Sequence, residues 1–470
     1  MTQSTAESIQ QILPIFSTIW SREVIRALLQ KMSVRQYWRA YTPLIVLWGF
    51  IFQRLQADHT CDNYVDYLRS GKANELDGAD RHKEPLSRRL RSESNAGYVQ
   101  GRQRLPLALL QEALRVVNEQ IGRWLGKKGT WRGLAVRFLD GTVFTLSPLG
   151  DLAATYGHSS NQRGQHYWVQ VRAVASFDLI SQAAIVVVEA PYASGETSLV
   201  LPVLQADWQE GALYVGDRNF GIYRVLQAVR ATKQEALLRL QKQQWQSLLR
   251  RNGLARLCSG ESRRCLWQPS RKDKVLPDVP APAIAGRLLY MRLEQRGFRP
   301  IDLYLFTTLL DADRYPLQDL VDLYAQRYRS VEVDFGHLKT TMHMAHLHVQ
   351  SAAMFRKELL AGFLAYNLVR ASMTFAAQCC HQTVTALSFA QCKRRLTRAL
   401  FESSPVADPQ HDVSSFLLRL SACELPSTKN KVKHEPRRKR YKWRRYPPLT
   451  TDRQTARQHL VAQLQPCPIS

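Results

Sequence analysis

Apolar side chains recur at helical spacing over the first 130 residues. Trp20, Val24 and Leu28 are four positions apart, and residues 105–117 are rich in strong helix formers. Between these segments, the stretch 70–97 is polar, highly charged and contains three glycines, which is typical of a long loop or mobile link. The pattern predicts an all-helical N-terminal domain over residues 1–130.

The pattern changes near residue 131, where apolar runs become shorter and alternate with polar positions. LAVRFLD at 134–140 leads into Asp140-Gly141 and then TVFTLS, which predicts a strand, a tight turn and a second strand. The other predicted elements are strands at 166–178, 179–190 and 212–217, and helices at 195–206 and 220–230. This order predicts the first part of an α/β core with a mixed sheet, over residues 131–230.

The second half of the chain continues this core after an interruption. Residues 231–310 contain short apolar runs between basic loops, which predicts a β-rich insertion. Residues 311–400 begin with a Pro-marked turn, continue as a long helix to 342, and include a strongly apolar helix at 358–373. Residues 401–470 are polar and form a C-terminal region with a basic tail.

Composition excludes several classes of protein. The chain has 470 residues, of which 45% are hydrophobic, and this content argues against wholesale disorder. The longest apolar run, residues 44–52, is far shorter than the ~20 residues of a membrane span. No secretory signal is visible, and the eight cysteines lack Cys-x-x-Cys spacing, so we expect a cytoplasmic protein with reduced thiols.

The net charge of +26 indicates a polyanionic partner, most simply nucleic acid. This charge is concentrated in two segments: residues 224–274 carry a net +10, and residues 429–446 carry a net +9. Tyr441, Trp443 and Tyr446 interleave with the second basic run, which favours binding to a nucleic-acid backbone with stacking over a simple solvated charge run. These two segments are therefore expected to contact the nucleic acid.

Three acidic residues are candidates for a metal site. Asp140 and Asp217 each end an apolar strand, where a fixed backbone can aim a carboxylate into a crevice. Glu332 lies within the long predicted helix, and Lys339 follows two helical turns later on the same face. Each residue has a simpler interpretation as well. Asp140, which precedes a glycine, could serve only to form a turn, and Asp217 could form an ion pair with Arg218. Glu332 and Lys339 could lie on a solvated helix face.

Four segments carry a resemblance to a known family: LDGT (139–142), GDRNFGIY (216–223), TTLLDADRYP (307–316) and VEVDFGHLKTTM (331–342). They resemble the DDE transposases of bacterial insertion sequences, in particular the insertion-sequence-four group. Segments 95–106, 362–370 and 433–450 look like the flanking regions of such proteins. The resemblance implies a ribonuclease-H-like mixed-sheet core interrupted by a β-rich insertion, with an N-terminal helical domain that binds DNA ends.

The resemblance also implies an activity. Asp140, Asp217 and Glu332 would hold two Mg²⁺ ions, for which Mn²⁺ is expected to substitute. The enzyme would bind the terminal inverted repeats of an insertion sequence, cleave the DNA at the ends and join the 3′ ends to target DNA. Its partner would be double-stranded DNA, which a homodimer of the protein would bind. No membrane and no small-molecule substrate would be involved. The protein would be located in the bacterial cytoplasm and would associate with the nucleoid.

The family signature around the last acid is Tyr, two residues, Arg, three residues, Glu, six residues, Lys. Tyr324, Arg327, Glu332 and Lys339 match it, except that four residues separate Arg327 from Glu332. The extra residue turns Arg327 by about 100° relative to Glu332. A π-bulge could absorb this residue, Arg329 could replace Arg327 at the phosphate, or the copy could be disabled.

Further DNA contacts follow from the same resemblance. Trp267, in the predicted insertion, is a candidate for stacking on an extruded base, and an equal alternative is that it anchors a small sheet. Arg437, Arg438, Lys439 and Arg440, in the basic tail, are candidates for phosphate contacts.

Two other functions stay open from the sequence. One is a structure-selective nuclease on the same core, which would cut junctions or flaps regardless of terminal sequence. The other is a catalytically inactive DNA-binding remnant, which would bind the ends without cutting them.

Overall fold

The computed structural model describes residues 40–74, 84–161, 164–207, 209–271, 273–294, 300–401, 416–425 and 451–463. The basic run at 429–446, and with it Arg437, Arg438, Lys439 and Arg440, lies outside the described residues, as do Trp20, Val24 and Leu28.

The described part of the first 130 residues is helical, as predicted. Its helices are α1 Pro43–Leu55, α2 Cys61–Arg69, α3 Leu86–Arg89, α4 Ala96–Arg104 and α5 Leu107–Leu125. Thr42 begins α1, because its side chain accepts a hydrogen bond from the Ile45 amide at 3.4 Å and Pro43 follows at the first helical position. The apolar run at 44–52 lies in α1 and is buried throughout.

Ten strands form one mixed sheet within the described residues: β1 Val136–Leu146, β2 His158–Asn161, β3 Gly164–Asp178, β4 Ala184–Pro191, β5 Leu213–Gly216, β6 Glu235–Arg239, β7 Glu261–Trp267, β8 Ile284–Leu293, β9 Ile301–Thr307 and β10 His346–Leu347. The strand order is β2-β3-β1-β5-β6-β9-β8-β7, with β4 beside β3 and β10 beside β1. Strands β1, β3 and β4 are an antiparallel meander, and β5 and β6 run parallel to β1. This topology confirms the predicted ribonuclease-H-like mixed-sheet core.

The predicted turn at Asp140-Gly141 is wrong. Strand β1 runs without interruption through both residues, and Asp140 pairs with Ala175 and Gly141 with Val174 on β3. An Asp-Gly dipeptide favours a turn locally. Here β3 is long enough to pair with both halves of β1, so the ladder outweighs the local preference.

The segment predicted as a β-rich insertion extends the main sheet. Strand β6 pairs with β9 in antiparallel orientation, and β8 and β7 continue the sheet outward. Trp267, at the end of β7, is fully buried and packs edge-on against Phe306 with 4.8 Å between ring centroids. The prediction that Trp267 stacks on a base is therefore corrected: the indole anchors the sheet, which is the alternative that the sequence left open.

The remaining α-helices of the described residues are α6 Leu152–Tyr156, α7 Val200–Ala206, α8 Tyr223–Ala231, α9 Lys242–Arg251, α10 Leu317–Gly336, α11 Ala352–Cys379, α12 Phe389–Phe401 and α13 Arg453–Gln463. Because side chains alternate along a strand, Phe138 of β1 lies in one core and Leu139 in the other. The first core contains α1, α5 and α11, and the second contains α7, α8 and α9.

Helix α11 is long and apolar enough to cross a membrane by length and composition alone. Its most apolar window is completely buried inside the protein, against α5 and α1. Its apolar surface is therefore used in the core.

Candidate active site

The sheet opens a crevice along one edge of β1. Strand β5 pairs with β1 from Val136 to Phe138, and β10 pairs with it only from Thr145 to Leu146. Between these points, no described strand pairs with this edge of β1. A gap beside the carboxyl end of a parallel strand is the usual position of a ligand site in α/β sheets.

Asp140 and Asp217 lie side by side in this crevice. Phe138 of β1 is paired with Val215 of β5, and the two strands run parallel. Asp140 and Asp217 each follow two residues after this pair, so they lie beside each other. Both residues therefore point to the same face of the sheet. The prediction that each carboxylate is carried at the end of a strand is accurate for Asp217, which follows β5, whereas Asp140 lies in the middle of β1.

A guanidinium group lies between the two carboxylates. Arg327 of α10 donates from Nη2 to Oδ1 of Asp140 at 3.1 Å, and the same nitrogen is 3.9 Å from Oδ2 of Asp217. It also approaches the carbonyl oxygen of Leu139 at 3.4 Å, on the open edge of β1. Arg327 is only 3% exposed, and its buried Nε has no hydrogen-bond partner among the described residues. The acid pair thus already accommodates one buried cation.

The carboxyl group of Asp140 has an unusual acidity. Burial raises its pKa to about 6, and the nearby Asp217 and Glu196 carboxylates act in the same direction. Arg327 and the Gly141 amide oppose this shift. The pKa stays raised although a guanidinium is in contact, because burial outweighs this attraction, and a further cation at the site would favour the ionised carboxylate.

Glu196 is the acidic residue that the sequence interpretation missed. It precedes a short 3₁₀ turn, Thr197–Leu199, that leads into α7. A Cβ atom added at Gly141 would overlap Oε1 of Glu196, so this carboxylate lies directly against the backbone of β1 beside Asp140. Burial raises the pKa of Glu196 and Asp217 raises it further, whereas Arg172 and Arg327 lower it. A glycine inside a strand pattern often marks the close approach of another group to the backbone. Gly141 is therefore the feature of the sequence that could have indicated a neighbouring group at this point of β1.

Lys339 enters the same region from a distorted helix end. Helix α10 is α-helical from Leu317 to Gly336 and is followed by a π-helical turn, His337–Thr341, that contains Lys339. Nζ of Lys339 is 5.7 Å from the ring centroid of Phe144, and burial lowers its pKa while Asp140 raises it. The π turn lies after Glu332, so it does not absorb the extra residue between Arg327 and Glu332.

The other signature residues of α10 have different positions. Tyr324 is 1% exposed and belongs to the core, which corrects its predicted contact with DNA. Glu332 and Arg329 lie on the same helix, five and two residues after Arg327. Their side chains are outside the described part of the structure.

Comparison with known proteins identifies the domain. Residues 131–368, slightly more than half of the chain, match the family described as Transposase DDE domain. The chain belongs to this family. It is therefore an enzyme of the transposase and nuclease type that acts in DNA transposition, and DDE transposase domains in general use divalent metal ions.

Other comparisons add little to this family membership. A cryo-EM structure of piggyBac transposase in a synaptic complex with hairpin DNA is similar at 11% identity, with 90% of this chain and 88% of that chain covered and a TM-score of 0.41. No curated protein matches the chain.

The residues of this DDE transposase domain fit a divalent cation. The donors at the crevice are carboxylate oxygens, which Mg²⁺ and Mn²⁺ prefer, and a buried guanidinium already occupies a cation position between them. Among the described side chains, no three His, Cys, Asp or Glu residues converge into a complete metal site. The acid pair thus supplies part of a site that needs at least one further donor.

Proposed function

We propose that this protein is a transposase of the insertion-sequence-four group from a bacterium. It binds the terminal inverted repeats of its element, cleaves the DNA at the ends and joins the 3′ ends to target DNA. One observation carries this proposal: Asp140 on β1 lies beside Asp217, which directly follows the neighbouring parallel strand β5, and a buried guanidinium lies between the two carboxylates. The sequence segments that resemble this group support the finer assignment.

In this proposal, Asp140, Asp217 and Glu332 hold two Mg²⁺ ions, and Mn²⁺ substitutes for them. When bound, such ions activate the attacking oxygen and stabilise the leaving oxygen of the phosphodiester. Arg327 neutralises the acid pair in the metal-free protein, as its contacts with Asp140 and Asp217 suggest. Lys339 lies close enough to Asp140 to bind a phosphate at the reacting strand.

The charge distribution supports a DNA partner. Residues 224–274 and 429–446 together carry most of the net charge of +26. We assign Arg437, Arg438, Lys439 and Arg440 to phosphate contacts and a homodimer to the DNA-bound assembly, since two ends must be brought together. The protein then acts in the cytoplasm and associates with the nucleoid.

The test is a cleavage assay on the inverted repeats that flank the coding region. With Mg²⁺, the wild-type protein and the exposed-acid control Asp313→Asn are expected to cut at the repeat ends, whereas Asp140→Asn is expected to lose cleavage by several orders of magnitude, because the variant removes a carboxylate donor.

The outcomes separate the alternatives. Cleavage that persists in Asp140→Asn contradicts the catalytic assignment. Cutting of branched DNA irrespective of terminal sequence would indicate a structure-selective nuclease, and specific binding without cutting by the wild type would indicate an inactive remnant.

A further inference from the structure

A third carboxylate lies beside the acid pair of Asp140 and Asp217. Oε1 of Glu196 occupies the space next to the backbone of Gly141, where an added Cβ atom would overlap it. Gly141 directly follows Asp140 on β1, in the stretch where no described strand pairs with the crevice edge of β1. Glu196 therefore approaches the crevice at the residue next to its first acid.

The backbone that carries Glu196 is held in place on both sides. Gly195 before it has a φ angle of 75°, in the left-handed region that favours glycine. Oγ of Ser198 donates hydrogen bonds to the carbonyl oxygens of Ser194 at 2.6 Å and Gly195 at 2.8 Å. Leu199 is buried in the second core and leads into α7. A carboxylate on a fixed backbone suits a metal site, because such sites need preset geometry.

The carboxylate of Glu196 and those of the acid pair act on one another. Burial raises the pKa of Glu196, and the charge of Asp217 raises it further. Burial is also the main cause of the raised pKa of Asp140, to which Asp217 and Glu196 add. Arg327 lowers the pKa of both Glu196 and Asp140. The three carboxylates are therefore close enough to act on one cation.

Asn219 links Glu196 to the second acid. Its backbone amide donates a hydrogen bond to Oδ1 of Asp217 at 2.8 Å, and its side chain lowers the pKa of Glu196 as a hydrogen-bond donor. Among the described residues, no basic side chain forms an ion pair with Glu196, although Arg172 and Arg327 lower its pKa from a greater distance. The carboxylate of Glu196 is therefore not used in a structural ion pair.

A divalent ion in the crevice needs more donors than the acid pair supplies, since Mg²⁺ takes roughly six oxygen ligands. In the metal-free protein, the guanidinium of Arg327 lies between Asp140 and Asp217. No three acidic, histidine or cysteine side chains converge there among the described residues. The carboxylate nearest to completing the site from the described part of the chain is that of Glu196, because its charge already acts on both acids.

We propose that Glu196 is a further ligand of the divalent ion at Asp140 and Asp217, in addition to Glu332. When the ion takes the place of the buried guanidinium, the Glu196 side chain turns toward the acid pair, and Gly141 leaves the space that this carboxylate needs. The proposal rests on the proposed function, which supplies the ion. It adds a fourth carboxylate to the three acids of the sequence interpretation.

The experiment uses a cysteine as a reporter of direct coordination. Thiolates prefer soft metal ions, so Glu196→Cys is expected to bind Cd²⁺ at least about tenfold more tightly than the wild type and to gain the ultraviolet absorption of a thiolate–Cd²⁺ bond. The control Glu210→Cys places a thiol at an exposed acid and should gain no tight site. Addition of Asp140→Asn to Glu196→Cys should remove the gain, because both side chains hold the same ion.

Two results would overturn the assignment of Glu196. One is an equal Cd²⁺ affinity of Glu196→Cys and Glu210→Cys, and the other is a gain in Glu196→Cys that survives Asp140→Asn. The isosteric variant Glu196→Gln is measured with Mn²⁺ in parallel, and an affinity equal to that of the wild type would also overturn it.

The Mn²⁺ affinity of the wild type separates this proposal from the proposed function. If the wild type binds Mn²⁺ and loses it in Asp140→Asn, any of the contrary results for Glu196 leaves the proposed function in place. If the wild type binds no Mn²⁺, the metal site of the proposed function is contradicted, and the Cd²⁺ measurements still decide whether Glu196 and Asp140 face one cation position.

Discussion

At the scale of single residues, the site is organised around one buried cation. Arg327 contacts Asp140 and Asp217 and the open edge of β1 at Leu139. Two carboxylates that are held side by side repel each other, and a guanidinium between them offsets this repulsion. Arg327 therefore stabilises the metal-free protein, and under the proposed function we expect a divalent ion to compete with it for the same oxygens.

Replacement of Arg327 by Met should test this competition. The free energy of unfolding is expected to fall by about 2 kcal/mol at pH 8 without metal, because two half-buried carboxylates lose the buried counter-charge of Arg327. Addition of Mn²⁺ should then raise the melting temperature of Arg327→Met more than that of the wild type, since the ion replaces the lost charge.

The matched control is Arg132→Met, which breaks the exposed ion pair of Arg132 with Asp319. A surface pair of this kind contributes ~0–1 kcal/mol, and it is not part of the crevice. Equal Mn²⁺-induced shifts in wild type and Arg327→Met would show that Arg327 does not occupy a cation position.

Gly141 and Glu196 form a second pair at the residue scale. A methyl group at position 141 would displace the Glu196 carboxylate without removing it, because Oε1 of Glu196 occupies the space beside Gly141. Gly141→Ala and Glu196→Gln are each expected to weaken Mn²⁺ binding roughly tenfold, since nearby groups of this kind tune metal affinity.

Isothermal titration with Mn²⁺ measures this effect. The double variant should be no weaker than the single ones, because both changes remove the same carboxylate. Glu210→Gln is the control, as Glu210 is exposed and paired with Lys233. Additive losses, or an unchanged affinity in Glu196→Gln, would contradict a role of Glu196 at the cation site.

At the scale of elements, the π turn after α10 joins the crevice to the helical part of the protein. His337 begins this turn and stacks on Phe389 of α12, with ring centroids 4.5 Å apart. Burial lowers the pKa of His337 to about 4, with a smaller effect from Arg370. The neutral ring is therefore part of the packing between α10 and α12.

This pKa predicts a pH-dependent stability. Between pH 6.5 and 4 the unfolded chain binds a proton at His337 that the folded protein does not, so stability should fall as the pH is lowered through this range. Urea unfolding of wild type and His337→Phe, which keeps the ring stack, should show a difference that grows as the pH falls from 7 to 4. A difference that is constant with pH would rule out the buried neutral histidine, and His348→Ala serves as the control.

At the scale of the whole molecule, the basic segment 224–274 includes helix α9 and strand β7. Arg250, Arg251 and Arg264 are exposed there. Arg123, Lys127 and Lys128 are three exposed basic residues at the end of α5 and provide a matched set.

Neutralisation of each set to Gln tests where DNA binds. The variant with Arg250, Arg251 and Arg264 replaced by Gln is expected to reduce the slope of log K for DNA binding against log[salt] by about 0.9 for each phosphate contact that is lost. The variant with Arg123, Lys127 and Lys128 replaced by Gln should change this slope little. Fluorescence anisotropy measures the two slopes. Equal slopes for the two variants would mean that the positive charge attracts DNA over the whole surface and that segment 224–274 is not a specific binding surface.

The limits of prediction from sequence also appear at particular residues. The mixed sheet, the strand that ends before Asp217 and the long helix of Arg327 were predictable, because they follow from short apolar runs and helical spacing. The continuity of β1 through Asp140 depends on pairing with Ala175 of β3, which lies 35 positions later in the chain. The burial of Trp267 and Tyr324, and the position of Glu196 against Gly141, depend on packing between distant elements.

The sequence by itself determined most strands and helices of the core and the concentration of positive charge in two segments, since these are properties of local pattern and composition. Only the tertiary structure decided that Asp140 and Asp217 lie side by side and that Arg327 lies between them. The physical reason is that such contacts arise from strand register and helix packing, which join residues far apart in the chain and leave no periodic signal within a short window.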